Sequence, residues 1–478
     1  MNSVLFTKNQ LLLLILFISS VLSRILSSIY YIEDIDSLRF ALSLYDYNLL
    51  NLQPHFPGYP VFCFFAKTFY SIVPSMGISF SIIGGISTFI IIYYSLKLGN
   101  TDIKSPEGFI MSLIIFFNPM VWLMGNRYMP DLMGFALALS ILYFFILPQT
   151  KSENIFVGFF LTGILFGTRL SYFPLVIIPF LKNLQEGLRI KKITFLLLGI
   201  AAWLIPLIFI EGFNNLILSA QKQTIGHFTD FGGTAITENN WVNRLVYTIE
   251  SIWSDGLGGY WVSRSWHTMF VSLFLVILIS IGIYTIVKNW KHEKYLRRII
   301  RSVALYFIWI LLFQNVIYKS RHILPVLLLF FIVLAIGVEF IFSKKSKILN
   351  IISVFFVMSL AQITINLAID HKKPAAVAQL KDYLLNNKNF DIIISTPLIN
   401  FYLKTHNIDA QYVNVYNNND LYMLNQNRPR SGIMIIGNFD SLPLDKYQVA
   451  KLKTYYHNPY VNRMWSKIQT YTLNLDQL

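Results

Sequence analysis

The chain has little charge and almost no cysteine. Only 13% of its 478 residues are charged, whereas 55% are hydrophobic. Apolar runs long enough to cross the hydrocarbon of a bilayer recur along most of its length, which excludes an ordinary soluble protein. The lone cysteine, Cys63, excludes an internal disulfide and a thiolate metal site, and it leaves the redox compartment undetermined. The composition therefore predicts a polytopic membrane protein.

Several common functional motifs are also absent. The sequence contains no GxxxxGK, HExxH or CxxC motif and no internal repeat. A net charge of +15 could indicate a nucleic-acid partner. Most lysines and arginines, however, lie in short connections between apolar runs, where they orient a membrane protein. The sequence therefore predicts membrane lipids as partners and no nucleic acid.

Eleven apolar runs are predicted to cross the membrane as helices. The run 59–73 is shorter, opens with Pro60 and contains Lys67, so we expect it to lie in the interface. The first run resembles a signal peptide in position, but its length of roughly 30 Å as a helix favours a span. The predicted spans are 11–30, 78–97, 109–125, 132–148, 154–168, 171–181, 193–211, 268–287, 302–317, 323–342 and 348–368.

The basic residues predict an orientation in the plasma membrane. With the N-terminus in the cytoplasm, every cytoplasmic connection carries lysine or arginine, as the positive-inside rule requires. These connections are 97–108, 149–153, 182–192, 288–301 and 343–347. The polar stretches 31–77, 126–131, 212–267 and 318–322 then lie outside the cytoplasm, together with the C-terminus.

The composition changes after Asp370. The segment 371–478 is rich in Asn and Lys, and a helix-like stretch at 374–387 precedes short β-type runs. These runs are 390–396, 410–416, 432–437 and 467–473. The pattern predicts a transmembrane domain over 1–370 and a small extracytoplasmic α/β domain over 371–478.

The first outer stretch is unusually acidic for such an apolar chain. Asp36 and Ser37 can cap a helix whose apolar residues fall at helical spacing, at the outer membrane surface. One interpretation makes Asp36 only a capping residue and leaves Glu33 and Asp34 as solvated loop acids. The other makes Asp36 a functional carboxylate beside the membrane.

The segment QPHFPGYP follows, with three prolines and a glycine that restrict its backbone. This segment holds His55 and Tyr59 in a preset arrangement. It is predicted to be either a rigid connector or one wall of a site beside the membrane.

Three arginines and an aspartate are predicted at the same membrane level. Arg127 and Asp131 bracket a short outer turn and could pair with each other, and Arg169 and Arg321 lie at outer ends of spans. Each alone is typical of a structural or snorkelling residue. Together, guanidinium groups suit a phosphate headgroup, and a carboxylate suits proton removal from a hydroxyl or amine.

Four short motifs resemble those of the type C glycosyltransferases, close to the bacterial aminoarabinose transferases and the protein O-mannosyltransferases. IDSLRFAL is similar to the Asp-containing motif of their first outer loop, and HFPGYPVF to a juxtamembrane HPPGYP-like segment. RHILP resembles their RYLLP motif, and NRYMPD resembles their second outer loop. The resemblance covers roughly residues 10–340.

The resemblance implies transfer of a sugar from a polyprenyl-phosphate carrier to an extracytoplasmic acceptor, with inversion at the anomeric carbon. It matches Asp36 to the catalytic carboxylate and Arg39 and Arg321 to arginines that face the lipid phosphate. His55 and Arg169 are predicted to assist in binding that phosphate. The residues predicted to position the acceptor or line the site are Asp34, Tyr59, Arg127 and Asp131.

Three departures bear on the donor sugar. Ser37 replaces a frequent second carboxyl residue, and His322 replaces the tyrosine after the later motif arginine. The lysine that aminoarabinose transferases carry near the GY step is missing, with His55 in that region. The donor sugar stays open, as does an acceptor among lipid, polysaccharide and protein.

Two alternative functions are compatible with the same spans and arginines. A flippase for a lipid-linked saccharide is less favoured because the halves do not repeat. A ligase or polymerase using lipid-diphosphate donors would concentrate its functional residues in 212–267. No cofactor is predicted. A divalent metal is conceivable with so many carboxylates, but the outer loops show no clear ligand set.

Overall fold

The structure is a computed structural model that describes residues 8–147, 154–229, 234–237, 240–262, 264–291, 293–387, 390–415, 432–437 and 449–473. Its residues divide into two compact units. The first, here called the membrane unit, comprises Met1–Ile29 and Phe40–Ile369. The second, here called the sheet unit, comprises Tyr30–Arg39 and Asp370–Leu478. The sheet unit therefore includes the short acidic segment that carries Asp36.

Helices dominate the chain. In order they are α1 (Lys8–Leu26), α2 (Ile35–Leu42), α3 (Pro60–Ile72), α4 (Met76–Leu98), α5 (Pro106–Phe116), α6 (Pro119–Met124), α7 (Asp131–Ile146), α8 (Asn154–Arg169), α9 (Phe173–Gln185), α10 (Arg189–Glu211), α11 (Phe213–Thr229), α12 (Trp241–Glu250), α13 (His267–Lys288), α14 (Lys294–Phe313), α15 (Leu327–Ser343), α16 (Lys347–His371), α17 (Ala376–Asn386) and α18 (Pro397–Thr405). Short 3₁₀ turns at Leu170–Tyr172 and Ser320–Val326 and a π-helical turn at Ser251–Gly256 complete the set.

Each predicted span overlaps a helix of the described residues, although several spans extend beyond the helix ends. Within the described ranges, seven helical segments are long and apolar enough to cross a membrane. One of them, Asn154–Gln185, contains two predicted spans, which meet where the 3₁₀ turn follows Arg169. The predicted spans 109–125, 132–148 and 302–317 correspond to the shorter or more charged helices α5 and α6, α7, and α14. The chain is thus an α-helical, multi-pass membrane protein.

Burial distinguishes central from peripheral helices. In the apolar windows of α4 and of Ser320–Ser343, 61% and 72% of residues are buried, against 11% in α1 and α10. Many exposed residues of α10 are large and apolar, such as Ile190 and Phe209 at 84% exposure each. Such a surface suits contact with lipid chains rather than water. The central helices therefore form the packed interior that holds the polar residues described below.

The run 59–73, which is predicted to lie in the interface, contains a short helix. Within the run 59–73, the 13 residues Pro60–Ile72 form α3, and Pro60 is the first residue of this helix. Proline suits this position because its missing N–H would have no helical partner there. At this length α3 is too short to span the hydrocarbon core.

The sheet unit contains a five-stranded sheet. Its strands are β1 (Ile392–Ser395), β2 (Gln411–Asn414), β3 (Ile433–Ile436), β4 (Val449–Tyr456) and β5 (Lys467–Leu473). Their order is β2-β1-β3-β5-β4, with β1 parallel to β2 and β3 and with β5 antiparallel to β3 and β4. Both β1 and β3 are buried along their whole length, as strands covered on both faces should be. The four predicted β-type runs correspond to β1, β2, β3 and β5.

Candidate functional site

The membrane unit contains a buried carboxylate between two guanidinium groups. Asp131 begins α7 and is 1% exposed. Its Oδ1 lies 2.9 Å from Nη2 of Arg169, and its Oδ2 lies 3.8 Å from Nε of Arg321. Both arginine side chains are less than 10% exposed. We call these three side chains the Asp131 cluster; they carry a net charge of one positive unit.

Helix packing explains why Arg169 reaches Asp131. Gly134 lies one turn after Asp131, and a Cβ there would lie 2.5 Å from Cβ of Arg169. Any larger residue would push α8 away from α7. Tyr172, in the 3₁₀ turn after Arg169, also donates a hydrogen bond of 3.3 Å to Oδ1 of Asp131. The turn after α8 therefore places two donors on one carboxylate oxygen.

The proline-rich segment extends this cluster. Arg169 donates from Nη1 to the hydroxyl of Tyr59 at 3.1 Å, and Nε2 of His55 lies 3.0 Å from the same hydroxyl. Tyr59 has a left-handed backbone with φ of 48°, and it follows Gly58 with φ of 86°. A Cβ on Gly58 would lie 2.4 Å from the hydroxyl of Tyr47, so this turn requires glycine. His55 and Tyr59 thus contact each other, and Tyr59 contacts Arg169.

A polar network fixes the turn that precedes Asp131. Nδ2 of Asn126 donates to the carbonyl of Arg24 at 2.7 Å and to the hydroxyl of Ser81 at 2.9 Å. Oδ1 of Asn126 accepts from Ser27 at 3.0 Å. This network ties the turn to α1 and α4. Arg127, the next residue, is buried at 8% exposure.

The sheet unit holds the other predicted residues. Helix α2 begins at Ile35, and Oδ1 of Asp34 accepts from the backbone N–H of Ser37 at 2.8 Å. Asp34 is therefore the capping residue, and the interpretation that gave this role to Asp36 is wrong by two positions. Asp36 lies inside the first turn of α2, is 4% exposed, and its Oδ1 is 3.6 Å from Nη1 of Arg39.

The acidic segment is buried within the sheet unit rather than solvated. Glu33 is 0% exposed, and its Oε2 lies 2.9 Å from Nε2 of His371. The hydroxyl of Tyr402 donates to the carbonyl of Ile32 at 2.7 Å. Burial raises the pKa of Tyr402, which keeps this hydroxyl a donor. The interpretation of Glu33 and Asp34 as solvated loop acids is therefore wrong, since both hold the segment that carries Asp36.

Seven of the predicted site residues thus form two groups that are held together by hydrogen bonds or ion pairs. The Asp131 cluster with Tyr59 and His55 is one, and Asp36 with Arg39 is the other. Sequence reasoning missed Tyr172, whose only signal was its position three residues after Arg169. Among the residues that the structure describes, no group of three or more His, Cys, Asp or Glu side chains could hold a metal ion.

Comparison with known proteins gives structural matches only. No protein-family model matches the chain, and no curated protein matches it. The chain is similar to two crystal structures of ArnT from Cupriavidus metallidurans, one bound to undecaprenyl phosphate and one in the apo state. Each has 12% identity and a TM-score of 0.49 and covers 96% of this chain and 97% of that chain. A likeness this distant assigns no role to a residue and no substrate.

Proposed function

We propose that this protein is an inverting glycosyltransferase that moves a sugar from a polyprenyl-phosphate carrier to an acceptor outside the cytoplasm. The observation that carries the proposal is the buried Asp131 cluster in the membrane unit. The cluster brings two guanidinium groups together inside the membrane unit, and such groups suit the phosphate of a phosphodiester-linked lipid sugar. The sequence motifs that include Arg321 and Asp36 point to the same reaction.

In the proposed reaction, Asp36 acts as the general base. Its carboxylate takes the proton of an acceptor hydroxyl or amine as that atom attacks the anomeric carbon. The bond between this carbon and the phosphate oxygen breaks, and its electron pair stays on the phosphate. Because attack and departure occur on opposite faces, the anomeric configuration inverts. The cap of α2 is Asp34, so the assignment of Asp36 as the base rests on its motif and not on a capping role.

The arginines stabilise the leaving group in this proposal. Polyprenyl phosphate gains negative charge as the sugar departs, and fixed guanidinium groups favour that change. By the motif match we assign this role to Arg321, with Arg169 and His55 supporting it in the membrane unit. The motif match assigns the same role to Arg39. Arg39 is the most accessible of the three arginines, with an 18% exposed side chain, and its 3.6 Å contact with Asp36 is loose enough to be exchanged for a phosphate. Arg127 and Asp131 are assigned to lining and charge balance.

The orientation is part of the proposal. The Asp131 cluster joins the start of α7, the end of α8 and the 3₁₀ turn Ser320–Val326, which lie at one end of these helices. The basic connection 182–192 includes the end of α9, and the basic connection 288–301 includes the start of α14. The positive-inside rule then assigns the cluster to the extracytoplasmic side.

Reconstitution tests the proposal. The purified full chain in liposomes would receive a labelled polyprenyl-phosphate sugar together with membrane extract from a deletion strain as the source of acceptor. We expect label to move from the lipid to a product of inverted configuration, and the same lipid-linked sugar to accumulate in the deletion strain. The proposal would be contradicted if the protein transferred sugar only from a polyprenyl-diphosphate donor. It would also be contradicted if the intact lipid moved across the bilayer without sugar transfer.

Tyr59→Phe is expected to weaken donor binding about fivefold, which corresponds to roughly 1 kcal/mol for one lost hydrogen bond. The change removes the hydroxyl between His55 and Arg169 but keeps the aromatic ring that contacts Phe40 at 5.1 Å between centroids. Equilibrium binding of the labelled donor measures this effect. Tyr45→Phe is the control, because that hydroxyl contacts Tyr70 on the exposed surface. Equal losses of donor binding in the two variants would show that the Tyr59 hydroxyl has no specific role in binding the donor.

A further inference from the structure

A second cationic feature lies in a cavity at the other end of α7, where α9 and α14 also contribute residues. This cavity has a volume of about 350 Å³. Its apolar wall comes from Phe145 of α7 and from Ile178 and Pro179 of α9. Phe145 lies 14 residues after Asp131, which places it roughly 21 Å further along the helix axis. The cavity is therefore distinct from the Asp131 cluster.

Five basic residues complete the lining of the cavity, and no acidic residue belongs to it. They are Lys182 of α9 and Lys294, Arg297, Arg298 and Arg301 of α14. The four residues of α14 follow a spacing of three, four and seven, which places them on one helix face. Two helices thus direct their positive charges to one space of the size of a phosphate-bearing headgroup.

The local charge arrangement is unfavourable without an anion. Four cations occupy the first two turns of α14, where the helix dipole already presents its positive end. Like charges three or four residues apart also destabilise a helix. The carboxylate of Glu186 lies 3.8 Å from Nζ of Lys182 and partly offsets that charge. Two further acids, Glu293 and Glu339, act on Tyr295 of the same helix. Within the described ranges, no ion pair involves Arg297, Arg298 or Arg301.

The cavity is also held in shape by its surroundings. Nδ2 of Asn183 donates to the carbonyl of Phe145 at 3.0 Å, which joins the ends of α7 and α9. Nζ of Lys192 donates to the carbonyls of Asn183 and Glu186 at 2.5 and 2.6 Å, which satisfies the end of α9. Lys192 thus closes a helix end, whereas Lys182 and the α14 cations face the cavity. The wall is therefore a formed part of the membrane unit.

We propose that this cavity binds the phosphate headgroup of an anionic membrane lipid. An apolar wall with a cationic rim matches a glycerol backbone and acyl chain beside a phosphate, and basic pockets between membrane helices bind such headgroups. Arginine can hold the phosphate oxygens in a bidentate manner. A requirement for positive charge in a cytoplasmic connection explains the number of cations, but it does not require them to surround a cavity.

Lipid binding to matched variants tests this proposal. The cavity variant is Arg297→Gln/Arg301→Gln, and the control is Lys288→Gln/Lys291→Gln, which removes the same charge from the same connection outside the cavity. Native mass spectrometry of the full chain would measure binding of phosphatidylglycerol and of phosphatidylcholine, with and without inorganic phosphate. We expect phosphatidylglycerol binding to weaken about 30-fold in the cavity variant and to be unchanged in the control.

Three results would overturn it. Equal losses in the two variants would make the cations a general positive surface. Equal binding of phosphatidylglycerol and phosphatidylcholine would remove the headgroup charge from the interaction. Displacement of the lipid by millimolar inorganic phosphate would assign the cavity to a free anion rather than to a lipid. If the cavity variant failed to fold, Arg301→Gln alone against Lys288→Gln would decide between these outcomes by the same measurement.

Discussion

Replacing Asp131 with asparagine is expected to lower the free energy of unfolding by roughly 3–5 kcal/mol, because two buried arginines would lose the charge between them. Asparagine keeps the shape of the side chain, so packing against Gly134 and Tyr172 should persist. The carboxylate is 1% exposed, which leaves little room for water to replace it. Thermal unfolding of the purified full chain in detergent measures the loss.

A double variant separates charge balance from other effects of Asp131→Asn. Asp131→Asn/Arg169→Gln removes one charge of each sign and restores the net charge of the Asp131 cluster. We expect it to be more stable than the sum of the two single losses predicts, since residues in contact are coupled. Asp102→Asn changes an exposed carboxylate of the connection 97–108 and should alter stability by no more than about 0.5 kcal/mol. Simple additivity in the double variant would show that the cluster is not a unit.

Asp36→Asn is expected to slow sugar transfer about a thousandfold, within the range of 10²–10⁴ that a general base contributes. The amide cannot take up a proton at neutral pH. Folding should be retained because Asp34 provides the cap of α2 and Asn has nearly the same volume as Asp. Initial rates of transfer from a labelled polyprenyl-phosphate sugar measure the effect.

Asp46→Asn is the matched control for Asp36→Asn. Asp46 belongs to the same acidic stretch, but its side chain is exposed and follows the end of α2. The substitution makes the same change in charge and should leave the transfer rate within about twofold of the parent. An equal loss of transfer in the two variants would indicate a general effect of negative charge rather than a base at Asp36.

The membrane spans were predictable because their signal is local. Each apolar run is long enough to identify a helix from its own residues, and α3 was distinguished by its length and by Pro60. Strand β4 was not predicted, because its own residues do not show a clear apolar pattern. It is an edge strand whose sequence includes Lys451 and Lys453, and such charges are typical of edges but hide the apolar pattern.

The contacts of the candidate site were less predictable than the helix ends that carry its residues. Topology predicted that Asp131, Arg169 and Arg321 lie at one end of their helices, but not that one carboxylate pairs with both arginines. Glu33 was misinterpreted because its partner, His371, lies 338 residues away. No local pattern encodes such a contact. The cap at Asp34 could have been predicted from the sequence, because Asp34 lies two residues before Asp36 and an aspartate suits a helix start at either position.

Single-turnover transfer by the Asp36→Asn full chain tests the central claim most directly, when donor binding is measured on the same sample. The account predicts a dissociation constant for the polyprenyl-phosphate sugar within about threefold of the parent and a transfer rate about a thousandfold lower, because a base acts in the transition state and not in donor binding. Transfer at the parental rate, with donor bound, would contradict the assignment of Asp36 as the base.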